Sequence, residues 1–211
     1  MKQYLTEAIG TFFLVLTIGL CVNQNVVPAP LVIGAALMVM VYAGGHTSGA
    51  HYNPSVTVAA WLRGALPAKQ VLPYWAAQFT GAIAAAFVVF SLTGRALHVA
   101  PQDPVRWWPA LFGELLFAFG LAYVVLNVAT AKETQGNSFY GMAIGATVMT
   151  GAFAMGAISG GAFNPAVGLG PAVVELVLGQ APSSLAWIYA VGPFAGAAGA
   201  AMVFKFQHPG E

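Results

Sequence analysis

Six long apolar runs follow one another along this chain with almost no charge inside them, and such a surface can be solvated only by lipid. They extend from about Tyr4 to Val22, Leu31 to Gly44, Leu72 to Leu92, Ala110 to Ala129, Ser138 to Met155 and Leu185 to Phe206. A helix of about 20 apolar residues crosses a hydrocarbon layer of about 30 Å; the second and fifth runs read as shorter than that. Charged residues make up only 6% of the 211, against about 25% in an ordinary soluble domain. In lipid every backbone N–H and C=O needs a partner inside the protein, which restricts spanning elements to helices and closed barrels. Runs of this length predict helices, hence an all-α, multi-pass protein of a plasma or inner membrane. The N-terminal run carries Glu7 and lacks a small-residue cleavage site, so it reads as a retained first span and not as a secretory signal.

The two short runs lead into near-copies of one phrase. The first copy reads Gly45-His46-Thr47-Ser48-Gly49-Ala50-His51-Tyr52-Asn53-Pro54-Ser55, and the second Ile158-Ser159-Gly160-Gly161-Ala162-Phe163-Asn164-Pro165-Ala166. The two asparagines are 111 positions apart, about half the chain. A brief apolar stretch follows each, Pro54 to Leu62 and Pro165 to about Leu178. At 1.5 Å per residue each reaches about half-way through a bilayer, so each predicts a re-entrant half-helix. Irregular backbone at that depth is tolerated where it lines a wet cavity or packs inside protein.

Other pairs repeat at similar spacing. Glu7 in Glu-Ala-Ile-Gly-Thr-Phe-Phe answers Glu114 in Gly-Glu-Leu-Leu-Phe-Ala-Phe, and the third and sixth runs share aromatic starts followed by small residues. The chain therefore reads as one domain over 1–211, with one repeat over about 1–100 and another over about 105–211. Three spans per repeat is odd, so the second copy enters the membrane inverted and the half-helices meet near mid-membrane. Placing Lys2, Arg63, Lys69, Lys132 and Lys205 in the cytoplasm, and Arg95 and Arg106 outside, satisfies the positive-inside bias with both termini cytoplasmic.

Asn is a preferred N-cap and Pro a preferred first helical residue, so each tripeptide starts a helix sharply. Two such starts face to face bring two positive dipole ends together, while each Asn keeps amide N–H donors for a passing molecule. Water between Asn53 and Asn164 is then oriented, and protons and metal cations meet a positive potential. Gly49, Ala50, His51 and Gly160 are expected along the lumen, where backbone carbonyls form a ladder of acceptors.

These motifs, with Gly170-Pro171-Ala172-Val173 and Val191-Gly192-Pro193, resemble the aquaporin (major intrinsic protein) family over nearly the whole chain. The resemblance implies an aquaporin-like bundle of six transmembrane helices and two half-helices, a homotetramer, and one pore per protomer. The pore motifs map to Asn53, Pro54, Ser55, Asn164, Pro165 and Ala166. By the same resemblance the selectivity filter falls on Ile33, Ala152, Gly161 and Val167, with Val167 where the family carries Arg. The sequence thus predicts a wide, uncharged, apolar filter passing water and small neutral solutes. An apolar ring also resists wetting, which leaves a solute-preferring pore with poor water flux as the alternative. Ser55 replaces the family's Ala and reads as a tolerated small residue.

Glu7 and Glu114 read as supports that accept hydrogen bonds from the re-entrant loops; a proton relay in a secondary transporter is the competing reading. His46 and His51 have no acidic or Cys neighbours for a metal site, and no residue pattern calls for a cofactor, nucleic acid or hydrolase chemistry. Cys21 reads as a packed side chain, His98 and His208 as solvated, and Glu175 as either facing a vestibule or capping a turn. Trp107, Trp108, Trp187 and Tyr189 are expected as interfacial anchors, and the Gly/Ala faces at 81–86 and 196–201 as close-packing surfaces within or between protomers. A non-conducting structural tetramer remains a third class.

Overall fold

The computed structural model describes residues 1–210. The long helices are α1 (Lys2–Asn23), α2 (Ala29–Ser48), α4 (Ala68–Thr93), α5 (Trp107–Ala129), α6 (Tyr140–Ser159) and α8 (Ile188–Gln207), all apolar and long enough to cross a membrane. The short ones are α3 (Pro54–Arg63) and α7 (Pro165–Val177), and a 3-10 turn at Lys132–Thr134 lies between α5 and α6. Helix α1 packs on α4, α5 on α8, and α2 on α6. Each short helix leans on the last long helix of the other half of the chain, α3 on α8 and α7 on α4, so the halves interlock.

Two expectations need correction. Helices α2 and α6 are 20 residues each, full spans rather than short ones, because they continue through the glycines that the sequence reading took for loop. A glycine inside a helix costs about 1 kcal/mol against alanine, and tertiary packing outweighs that here. At Gly44 a Cβ would lie 1.9 Å from the Tyr52 hydroxyl oxygen, and at Gly10 2.1 Å from the same ring. The two glycines form the slot that takes Tyr52. Tyr189 is the second correction: it is fully buried and donates its hydroxyl to the Ser159 carbonyl, so it is not an interfacial anchor. Trp107, Trp108 and Trp187 are exposed, as anchors require.

The small-residue faces carry close helix contacts within the chain. A Cβ on Gly81 would sit 2.2 Å from the Ala8 carbonyl oxygen in α1, and one on Gly196 2.2 Å from the Leu115 carbonyl oxygen in α5. Gly34 and Gly145 meet backbone to backbone where α2 crosses α6. Gly199, a turn away on α8, would bring its Cβ no closer than 3.4 Å to the Phe119 ring. Gly196→Ala is therefore expected to cost about 1–3 kcal/mol through overpacking and to lower the unfolding temperature in detergent. Gly199→Ala is expected to stay near the parent, and equal melting of the two variants would contradict this account of the crossing.

Candidate functional site

The N-terminal ends of α3 and α7 meet at the two asparagines. Asn53 caps α3: its Oδ1 accepts from the Ser55 N–H at 2.9 Å, while its Nδ2 donates across to the Phe163 carbonyl at 2.9 Å. Asn164 caps α7 in the same way, accepting from the Ala166 N–H and donating to the Tyr52 carbonyl, both at 2.9 Å. One N–H of each amide thus fastens the opposite loop, and the second is left over. Ser55 does more than fit, since its hydroxyl also donates to Asn53 Oδ1 at 2.8 Å. Ala166 has no counterpart to that bond, so the two caps differ by one hydrogen bond.

The loops before the caps repeat one conformation. Gly49 and Gly160 end α2 and α6 with φ of +85° and +86°, and Ala50, Tyr52 and Phe163 also take positive φ, near +50°. Non-glycine residues in that region cost about 1–3 kcal/mol each and persist only when surrounding contacts enforce them. Glu7 supplies those contacts in the first loop. Its Oε1 accepts from the Ser48 hydroxyl at 2.6 Å and the His51 N–H at 3.0 Å, and its Oε2 from the Tyr52 N–H at 2.7 Å and Gln78 Nε2 at 2.8 Å. Glu114 does the same in the second, accepting from the Ser159 hydroxyl at 2.7 Å, the Ala162 N–H at 3.0 Å and the Phe163 N–H at 2.6 Å. Tyr74 and Tyr189 complete each set by donating to the Ser48 and Ser159 carbonyls. Sequence matching found the glutamates; it missed the serines and tyrosines, whose spacing repeats but whose residue types are common.

Ile33, Ala152, Gly161 and Val167 come together on one cavity of 270 Å³, which Ala50, His51, Asn53, Gly160 and Asn164 also line. No Asp, Glu, Lys or Arg lines it among the described residues. His51 is held by Nδ1 at 3.1 Å from the Thr57 hydroxyl, which itself donates to the Asn53 carbonyl. Gly49 closes α2 with its left-handed turn and lies on a second cavity of 460 Å³, with His46, Thr130, Asn137 and Tyr140. Ile144 lies on the wall of both cavities, a position that no sequence motif marks.

The sequence model of the major intrinsic protein family matches residues 1–204. This chain belongs to that family. Among curated members, Aquaporin NIP2-1 of Oryza sativa subsp. japonica is 36% identical over 98% of this chain and 70% of its own length. Probable aquaporin NIP4-2 of Arabidopsis thaliana is 35% identical over 98% of this chain and 74% of its own length. The aquaglyceroporin from Plasmodium falciparum superposes with a TM-score of 0.86 at 20% identity, covering 97% of this chain and 95% of that one, which establishes the shared fold.

Within this major intrinsic protein, two residues read as solvated or ambiguous prove to be partners. His98 Nδ1 lies 2.6 Å from Glu175 Oε1, the imidazole half-exposed at 54% and the carboxylate buried at 4%. His208, also read as solvated, stacks on Phe204 at 4.3 Å between ring centres, with the Arg63 guanidinium 5.0 Å from the centre of the same ring.

Proposed function

We propose that this chain is a passive channel for water and small uncharged solutes, with Ile33, Ala152, Gly161 and Val167 as a wide, uncharged filter. The observation that carries the reading is the junction of two capped helix starts on a cavity wall free of charged side chains. Each asparagine presents its spare amide N–H there, and the two dipole ends raise the cost of a cation. A neutral molecule pays no such penalty. Val167 removes the fixed positive charge and the bulk that Arg would bring, so the ring is set by three small or aliphatic side chains and a glycine. The curated relatives are named as aquaporins, which supports a channel over a secondary transporter.

The two cavities are the two vestibules of one conduit, passing Asn53 and Asn164 and the wall at Ile144. The chain works as two inverted repeats in one domain, assembles as a homotetramer, and keeps Lys2, Arg63, Lys69, Lys132 and Lys205 on the cytoplasmic side. Light-scattering traces of proteoliposomes under osmotic shock test the solute reading. Water, urea and glycerol are all expected to pass, with a low activation energy and no saturation. Exclusion of both urea and glycerol alongside fast water flux would sink the wide filter; saturable flux with a steep temperature dependence would point to a transporter.

A further inference from the structure

The connection between the two halves is folded into the site. Leu97 is 2% exposed, the Gln102 N–H donates to the Ile158 carbonyl at 3.3 Å, and Leu97, His98, Val99, Ala100 and Gln102 all line the 270 Å³ cavity. Within this wall His98 is the side chain with a fixed orientation. A buried carboxylate is costly unless partnered, and the partner Glu175 has is the His98 imidazole. Because a carboxylate only accepts, Nδ1 carries the proton, and in the neutral imidazole the lone pair sits at Nε2. That Nε2 has no protein partner among the described residues.

The proposed filter on the same cavity wall consists of Ile33, Ala152, Gly161 and Val167, whose side chains make no hydrogen bonds. A solute entering such a ring gives up bonds to water and gains none from these side chains. We propose that His98, oriented by Glu175, is a specificity-determining residue of the pore. Its Nε2 accepts a hydrogen bond from an uncharged polyol or small amide as that solute sheds water at the mouth. Donor-rich solutes are thereby favoured over equally large solutes with fewer hydroxyls. Glu175 is a positioning residue: it lies behind the ring and fixes which nitrogen the lumen meets. The inference rests on the solute-channel reading above and adds a polar contact that the four filter positions lack.

The test uses the full chain in liposomes, with glycerol and 1,2-propanediol as probes that share a carbon skeleton and differ by one hydroxyl. Fluxes are corrected for empty liposomes. His98→Ala is expected to lower the glycerol-to-propanediol permeability ratio about fivefold, the size of one net hydrogen bond. His98→Gln is expected to recover most of the ratio, because its amide can donate to Glu175 and still present a carbonyl oxygen. Glu175→Ala is expected to fall towards His98→Ala. An unchanged ratio in His98→Ala, an equal loss of water, glycerol and propanediol, or a His98→Gln variant as deficient as His98→Ala would each overturn the proposal. Native protein that conducts water but neither solute would instead remove the wide-filter reading on which it rests.

Discussion

Glu7→Ala is expected to abolish flux and to destabilise the protein by on the order of 5 kcal/mol, the top of the range for single substitutions. The carboxylate accepts four hydrogen bonds, from Ser48, the His51 and Tyr52 N–H groups and Gln78, and is fully buried. Bonds to a charged group contribute about 1.5–3 kcal/mol each, and donors left unpaired in a buried site add their own desolvation cost. The loss also releases Ala50 and Tyr52 from their positive φ, so the Tyr52 carbonyl no longer stands where Asn164 donates to it. Glu114→Ala removes three bonds instead of four and is expected to cost somewhat less. Glu114→Gln keeps the two bonds to one oxygen and sets an amide against the Phe163 N–H, so an intermediate loss is expected. Unfolding temperature in detergent, paired with swelling assays, checks all three. Near-native stability with lost flux in Glu7→Gln would revive the proton-relay reading.

Val167→Arg is expected to narrow the solute range more than any other single change at the filter. Val167 lies one residue beyond the Asn164-Pro165-Ala166 start of α7, is 3% exposed, and shares the cavity wall with Ile33, Ala152 and Gly161. A guanidinium there fills part of 270 Å³ and adds a fixed positive charge in a region of low dielectric, where a charge acts further than in water. Glycerol permeability is expected to fall at least about tenfold, equivalent to about 1.4 kcal/mol of added barrier, with urea less affected and water least. Val167→Met separates reach from charge, since it lengthens the side chain without ionising it. A glycerol-to-water ratio unmoved by Val167→Arg would take Val167 out of the filter.

The pore motif was readable because its physics is local. Asn53-Pro54 and Asn164-Pro165 announce helix starts through capping and the missing proline N–H, and both starts are where the sequence places them. The loop supports were half readable: Glu7 and Glu114 stand out as carboxylates in apolar spans, whereas Ser48, Ser159, Tyr74 and Tyr189 are ordinary residues until a partner is known. The ends of α2 and α6 are not legible in the sequence, because glycines signal a loop by propensity, while the Tyr52 ring gives Gly44 a packing reason to stay helical. Glu175 and His98 were unreadable as a pair, being 77 positions apart with nothing in either neighbourhood to join them.

Hydrophobic run length, the scarcity of charge and a duplicated Asn-Pro phrase determined by themselves that this chain is a helical membrane protein built around two opposed helix starts. Those features act through solvent and nearest neighbours, so they are written residue by residue. Tertiary structure alone decided which carbonyl each asparagine grasps, which glycines admit a neighbouring backbone, and which histidine a buried carboxylate holds at the cavity wall. Such contacts join segments far apart in the chain, and close packing selects them only when all eight helices are in place.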